Sequence, residues 1–275
     1  MKTKKIGFIG AGNMASSLIN GLIASGQEPE NIWITDINPD TLSNLTKNFA
    51  VNIAKSNDEL VKTVDVVVLA VKPQVLRSVA EQISTVIAEH QVLVVSIAAG
   101  INQTSLAQWL GADTAIVRCM PNTPALVQTG ATALHANANV NEEQRDLAEN
   151  ILRAVGISLW LENEADLDAV TAVSGSGPAY FFLLMEAMET AALELGLNEQ
   201  QARLLILQTA LGAAKIALES SESPAKLRQR VTSPGGTTQA AIQHFEQGGF
   251  SDLVIQAIHA ANNRSVSMAK ELGAL

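Results

Sequence analysis

The chain has 275 residues, enough for two domains of ordinary size that each bury a core. Its 47% hydrophobic and 16% charged residues leave little charge for a surface, which indicates an oligomer. The formal net charge of -9 opposes binding to nucleic acid or to anionic membranes, and no apolar run is long enough to cross a bilayer. The only cysteine, Cys119, permits no intrachain disulfide and favours a cytoplasmic location.

The first half of the chain alternates short apolar runs with helical periodicity, up to about residue 161. The runs lie at 5–9, 31–35, 66–70, 91–96 and 115–118. The valine-rich runs lack polar alternation, as in strands that are covered on both faces. Apolar residues between the first two runs recur at helical spacing, so the chain opens with a β-α-β unit. The pattern predicts an α/β domain over residues 1–162, with a doubly wound, mostly parallel sheet and helices on both faces.

After about residue 163 the strand-like runs disappear, and alanine, leucine, glutamate and glutamine dominate up to residue 275. This composition predicts an all-α domain over residues 163–275. Helix starts are indicated at Asn198, by a capping box, and at Ser223, by the proline that follows it. The segment 178–195 is apolar nearly all round, which predicts that it packs both within its own subunit and against another subunit.

A glycine-rich turn follows the first predicted strand and opens the first predicted helix. Its residues are Gly10, Ala11, Gly12, Asn13, Met14 and Ala15. Gly10 suits a tight turn, Gly12 lets the backbone approach a pyrophosphate, and the helix N-terminus supplies free N–H groups. This context predicts a dinucleotide-binding Rossmann domain, and the alternative is a tight turn without a ligand.

Asp36 closes the second predicted strand, where an acid accepts hydrogen bonds from ribose hydroxyls and favours NADH over NADPH. Against this preference, Ala15 replaces the third glycine of the fingerprint, and Asn38 with Thr41 could accommodate a 2'-phosphate. Asp36 could equally form an Asx turn ahead of Pro39. The sequence therefore leaves the choice between NADPH and NADH open.

Three more turns follow inner strands, and in open α/β sheets the ligand lies at the carboxyl ends of the strands. The turns at 70–73 and 97–100 should face the cofactor, and Lys72 is either a cofactor contact or a solvated lysine. The turn at 120–124 suits a site residue or a plain connection. Cys119 is predicted to be a buried core residue rather than a nucleophile. The four histidines lie outside these motifs, so no histidine or metal centre is predicted.

Two glycine-rich motifs precede helices in the second half, at 174–178 and 232–238. Free N–H groups at the helix that follows the second motif can hold a small carboxylate, and the alternative is an ordinary capped helix start. The acidic residues at 162–168 are interpreted mainly as a solvated helix start.

In this order, the motifs at 10–15, 70–74, 120–124, 174–180 and 232–238 resemble the pyrroline-5-carboxylate reductase family from end to end. The first two motifs occur in many reductases, whereas the last two are specific to this family. The resemblance implies a Rossmann domain, followed by a helical domain that interlocks with a second subunit. It also implies homodimers that assemble into decamers, and an active site formed partly across the dimer.

The resemblance also implies roles for individual residues, and none of them binds a metal. Those implied to contact NADPH or NADH are Gly10, Ala11, Gly12, Asn13 and Met14 at the pyrophosphate, Asn57 at the adenosine ribose, and Ala70, Val71, Lys72, Pro73, Ala98 and Ala99 at the nicotinamide. Those implied to hold the substrate are Glu164, Ser233, Gly235, Gly236, Thr237 and Thr238. Arg230 stands where some members carry a cofactor-contacting asparagine, so that contact is not transferred.

The reaction implied is hydride transfer from NADPH or NADH to the imine carbon of 1-pyrroline-5-carboxylate, which yields L-proline in the last step of proline biosynthesis. An imine takes its proton from solvent, so no motif histidine is required. Thr238 is the best catalytic candidate, as a hydrogen-bond donor to the ring nitrogen or the carboxylate. The alternatives are a related two-domain reductase of another cyclic imine or of a β-hydroxy acid, with Lys215 as its lysine, and a non-catalytic dinucleotide-binding module.

Overall fold

A computed structural model of the protein describes residues 4–273. The chain forms two compact units. Of the residues that the structure describes, the first contains 4–176 together with 261–273, and the second contains 177–260.

The first unit is built on a single sheet of eight strands. They are β1 (Ile6–Ile9), β2 (Ile32–Thr35), β3 (Asn52–Ile53), β4 (Val66–Leu69), β5 (Leu93–Ser96), β6 (Ile116–Met120), β7 (Gly130–Ala136) and β8 (Gly156–Trp160). Their order is β3-β2-β1-β4-β5-β6-β7-β8, and every pair is parallel except β6 with β7. The predicted doubly wound, mostly parallel sheet is confirmed, and the strand order reverses between β1 and β4.

Helices cover both faces of this sheet. They are α1 (Asn13–Ala24), α2 (Pro39–Asn48), α3 (Asn57–Thr63), α4 (Pro73–His90), α5 (Gln103–Leu110), α6 (Glu142–Arg153) and α7 (Asp166–Val170). On one face, Leu18 of α1 and Ile151 of α6 are fully buried against the sheet. On the other face, Leu60, Ile83 and Leu106 bury α3, α4 and α5. Each strand between the two layers therefore has an apolar partner above and below, which explains the continuous valine runs.

Three strands have no counterpart among the predicted runs: β3, β7 and β8. β3 has two residues, too few for a pattern. β8 leaves Ile157 and Leu159 exposed and its remaining residues half-buried, so it lacks the continuous burial of an inner strand. The polypeptide reverses between β6 and β7 through a short 3-10 helix at Thr123–Val127, which makes this pair antiparallel.

The last helix that the structure describes returns to the first unit. The long helix α12 (Phe250–Gly273) begins in the second unit, and its residues from 261 onward belong to the first. Its Ser265 hydroxyl donates to Asp168 at 2.6 Å, and Leu272 packs against the core beside α4 and α5. The compact units therefore differ from the predicted boundary at 162/163. The interpretation of the acidic stretch as mainly solvated is wrong for Asp168, because this carboxylate holds α12 in place.

The second unit is entirely helical, as predicted. It contains α8 (Gly177–Glu194), α9 (Glu199–Glu219), α10 (Pro224–Arg230), α11 (Thr237–Gln247) and the first part of α12. The predicted capping box is present at Asn198, and Ser223 caps α10. Within residues 177–260, only Gly177, Ala202 and Ile206 are buried, so this unit has almost no core of its own.

Across residues 4–273, no helix has both the length and the apolar character that crossing a bilayer requires.

Candidate active site

The carboxyl ends of the inner strands meet at one edge of the sheet. Backbone hydrogen bonds join them: Gly10 N–H donates to Thr35 O at 2.9 Å, and Ala70 N–H donates to Ile9 O at 2.8 Å. The Ile97 N–H donates to Leu69 O at 3.3 Å. This edge gathers the predicted cofactor residues of the glycine turn, of Asp36, and of the turns at 70–73 and 98–99.

The two glycines of the first turn play different roles. Gly10 has a φ of +94°, and a Cβ atom there would lie 2.6 Å from the carbonyl oxygen of Ala70. A side chain is thus excluded by both conformation and space. Gly12 is the N-cap of α1 without a side-chain cap, and a Cβ atom there would meet nothing within 4 Å. The space beside Gly12 and the free N–H groups of the first turn fit a dinucleotide pyrophosphate.

The Asp36 carboxylate lies directly against this turn. Its Oδ2 accepts from the Ala11 N–H at 2.7 Å, and its Oδ1 accepts from the Asn38 N–H at 2.8 Å. The second bond is the Asx turn that the sequence suggested, so the turn is present. Beside it, the Thr35 hydroxyl donates to Asn57 Oδ1 at 2.6 Å, which places the predicted ribose contact next to the end of β2.

The turns after β4 and β5 carry the residues that are predicted to line the nicotinamide. Lys72 is exposed and is the N-cap of α4, and Pro73 follows at the start of the helix. Ala98 is buried and Ala99 is half-buried. Gly100 has a φ of +74°, and a Cβ atom there would lie 3.0 Å from Leu272 Cδ1, so the end of α12 backs this turn.

Glu164, a predicted substrate ligand, has partners within the first unit. Its Oε1 accepts from Arg118 Nη1 at 2.8 Å and from the Gln103 N–H at the start of α5 at 2.6 Å. The side chains of Arg118 and Glu164 are 7% and 22% exposed, so the pair is largely removed from solvent. Sequence reasoning missed this role, although an arginine in an otherwise apolar strand needs a partner when it is buried.

Asn122 is a connecting residue that sequence reasoning left undecided. Its Nδ2 donates to Ser174 Oγ at 3.0 Å, and its Oδ1 accepts from the Ala131 N–H at 2.9 Å. One side chain therefore ties the turn after β6 to β7 and to the π-helical turn Thr171–Gly175. π-helical turns are frequent at functional sites. The glycine-rich sequence at 174–178 accounts for part of this packing, since a Cβ atom at Gly175 would lie 2.5 Å from Met120 Cε.

The predicted substrate turn opens α11 in the second unit. Gly235 has a φ of +70°, and its N–H donates to Gln239 Oε1 at 2.6 Å. Gly236 is the N-cap and has no side-chain cap, so the N–H groups of the first turn of α11 are open. Among the residues that the structure describes, the Thr238 hydroxyl makes no hydrogen bond. These open donors can bind a small anion.

Cys119 and His135 are the next candidates for a reactive group, and each has a structural place. Cys119 is 1% exposed, and burial raises the pKa of its thiol, which confirms the predicted core role. His135 contacts Gln103 Oε1 through Nδ1 at 2.9 Å. Residues 4–273 contain no cluster of three or more histidine, cysteine, aspartate or glutamate side chains that could hold a metal ion.

Comparisons with known proteins find matches for both halves of the chain. A family model described as pyrroline-5-carboxylate reductase dimerisation matches residues 164–268, and one described as NADP oxidoreductase, coenzyme F420-dependent, matches residues 5–100. The pyrroline-5-carboxylate reductase of Pseudomonas aeruginosa is 53% identical over 99% of this chain and 100% of its own length. The chain belongs to the pyrroline-5-carboxylate reductase family. The Escherichia coli enzyme of the same name is 41% identical over 97% of this chain and 99% of its own.

Solved structures of this family share the fold of the chain over nearly its whole length. A pyrroline-5-carboxylate reductase from Coxiella burnetii has a TM-score of 0.93 at 45% identity, covering 97% of this chain and 99% of its own. The Plasmodium falciparum pyrroline carboxylate reductase, solved with NADP bound, has a TM-score of 0.87 at 32% identity and covers 98% and 99%. The predicted family, its fold class and an NAD(P)H-dependent oxidoreductase are confirmed. The roles of individual site residues stay predictions.

Proposed function

We propose that this chain reduces 1-pyrroline-5-carboxylate to L-proline by hydride transfer from NADPH or NADH, the last step of proline biosynthesis. The observation that carries this proposal is the 53% identity with a relative of that name over 99% of the chain. The glycine turn and the open start of α11 would supply a dinucleotide site and an anion site, which the two partners of this reaction require.

The first unit would hold the cofactor. The turn from Gly10 to Met14 would bind the pyrophosphate through the free N–H groups at the start of α1, and Asp36 with Asn57 would face the adenosine ribose. The turns at 70–73 and 98–99 would line the nicotinamide. When bound, the dinucleotide supplies the hydride, while the protein contributes orientation and the exclusion of competing geometries.

The second unit would hold the substrate. The N–H groups at the start of α11 would bind the carboxylate, and the Thr238 hydroxyl would hydrogen-bond the ring nitrogen or the carboxylate. Because an imine is protonated by solvent, the residues need to place the substrate rather than to deliver a proton. Glu164 stays a prediction as a substrate ligand, since its Oε1 already serves Arg118 and Gln103.

We also propose that the functional form is a homodimer. Residues 177–260 expose large apolar side chains, among them Phe181, Phe182 and Leu183, and bury only three residues. Such a surface needs an apolar partner, and the match to a dimerisation family supports a second copy of the chain. A decamer stays a prediction. A cytoplasmic location is supported by the single buried thiol and is checked by cell fractionation.

The direct test is oxidation of NADPH and of NADH by the purified protein with 1-pyrroline-5-carboxylate, with chromatographic identification of the product. Formation of L-proline is expected. Cofactor binding without turnover would contradict the proposal and favour a reductase of another imine or hydroxy acid, or a binding module. Lys215 is a weak candidate for the hydroxy-acid chemistry, because it is 71% exposed and lies near Glu219.

Thr238 is tested by two variants. Thr238→Val removes the hydroxyl at nearly constant volume, and we expect kcat/KM to fall by about 10- to 100-fold, the value of one strong hydrogen bond. Thr238→Ser keeps the hydroxyl and should retain most of the activity. Cofactor affinity should be equal in both variants, and equal activity of the two would show that the hydroxyl is not used.

A further inference from the structure

The Asp36 carboxylate is fixed in position at the adenosine end of the dinucleotide edge. Each of its oxygens accepts one backbone N–H, from Ala11 at 2.7 Å and from Asn38 at 2.8 Å. Rotating the carboxylate away from the turn would break both hydrogen bonds. Each carboxylate oxygen keeps a further lone pair, and the residue is half-buried, so it can still accept from a ligand hydroxyl.

No cation of the surrounding sequence offsets this charge. Residues 6–46, which span β1, α1, β2 and nearly all of α2, contain no lysine or arginine. Asp40 adds a second carboxylate in the first turn of α2. A cavity of about 310 Å³ adjoins the turn through Ala11 and Gly12. Its polar side chains are all uncharged: Asn13, Ser16, Thr41, Asn44 and Asn48.

We propose that Asp36 makes this chain select NADH over NADPH. The 2'-hydroxyl of NADH can donate to the fixed carboxylate, whereas the 2'-phosphate of NADPH brings about two negative charges against it. Sites that accept this phosphate commonly provide an arginine, and the segment around Asp36 provides none. Family membership does not imply a preference for NADH, because the Plasmodium falciparum relative was solved with NADP bound.

This inference rests on the proposed function only for dinucleotide binding, so it is tested without substrate. Dissociation constants of NADH and NADPH are measured by fluorescence titration at fixed ionic strength. The wild-type chain should bind NADH at least about tenfold more tightly. Asp36→Ser removes the charge, and it should shift the ratio of the two constants towards NADPH by about tenfold or more. Asp36→Asn keeps an acceptor for one backbone donor and should shift the ratio in the same direction.

Asp40→Ser is the matched control, because it removes a carboxylate four residues away that does not touch the glycine turn. Its ratio should stay within about twofold of the wild-type value, and thermal unfolding verifies that each variant is folded. Tighter binding of NADPH by the wild type, or an unchanged ratio in both Asp36 variants, would overturn the inference. NADH selectivity without turnover of 1-pyrroline-5-carboxylate would instead contradict the proposed function alone, and binding of neither nucleotide would overturn both.

Discussion

The two compact units of this chain treat apolar side chains in opposite ways. The first buries them in two layers on a sheet, so that residues such as Leu18 and Ile83 are fully covered within one chain. The second exposes Phe182, Leu211 and Leu253, and within residues 177–260 it buries only three residues. The first unit buries its apolar side chains within a single chain, whereas the second exposes an apolar surface that we propose a second copy covers.

The largest effect is expected from a charge on the exposed face of α8. Phe182 is 64% exposed in the single chain, and Phe182→Glu would bury a carboxylate in the proposed dimer contact. Because a buried unpaired charge costs several kcal/mol, we expect the dimer to dissociate at micromolar concentration. Light scattering coupled to size exclusion measures this. Ile37→Glu, at a fully exposed apolar residue of the first unit, is the control and should leave the mass unchanged.

The next effect concerns the source of stability in each unit. Leu18→Ala should destabilise the chain by roughly 2–5 kcal/mol, because it opens a cavity in a complete core. This loss should not depend on protein concentration. Leu211 is 62% exposed, and Leu211→Ala should cause a loss that grows as the protein is diluted, as expected when folding is linked to assembly. Denaturant unfolding at two protein concentrations distinguishes the two kinds of loss. A concentration-independent loss for Leu211→Ala would contradict the proposal that the stability of the second unit depends on assembly.

The glycine turn allows a smaller and more local test. Gly10→Ala should cost at least about 1–2 kcal/mol in stability, because it needs a left-handed backbone and meets Ala70 O at 2.6 Å. Gly12→Ala meets no protein atom, so it should leave stability unchanged but weaken dinucleotide binding by about tenfold or more. Thermal unfolding and cofactor titration of both variants report the two properties. Unchanged affinity in Gly12→Ala would place the pyrophosphate elsewhere.

The smallest effect is expected from the helix N-caps, which take the same form in both units. Asn141 caps α6 in the first unit and Asn198 caps α9 in the second, each in a capping box with a glutamine. Replacing either asparagine with alanine should cost about 1 kcal/mol, since the lost bond is local. Unfolding in denaturant at one high protein concentration measures both. Unequal losses would show that one of the caps also serves packing.

Much of the first unit, including the geometry of its glycine turn, was predictable because the signals are local. A buried strand, a turn that needs Gly10 and Gly12, and an acid at the end of the next strand all occur within 31 consecutive residues, 6–36. The resemblance added the family, which the comparisons confirm. β7 and β8 were missed because their burial is partial, and the partners of Glu164 were missed because Arg118 is distant in sequence.

By itself, the sequence determined the fold class, the switch from strands to helices near residue 163, the capped helix starts and the glycine turn after β1. Each of these depends on periodicity or on the conformational demands of a few adjacent residues. Only the tertiary structure decided that Glu164 neutralises Arg118, that Asp168 anchors α12, and that the Asp36 carboxylate lies against Ala11. Those contacts join residues 25 to 97 positions apart, and chain folding rather than local propensity brings such residues together.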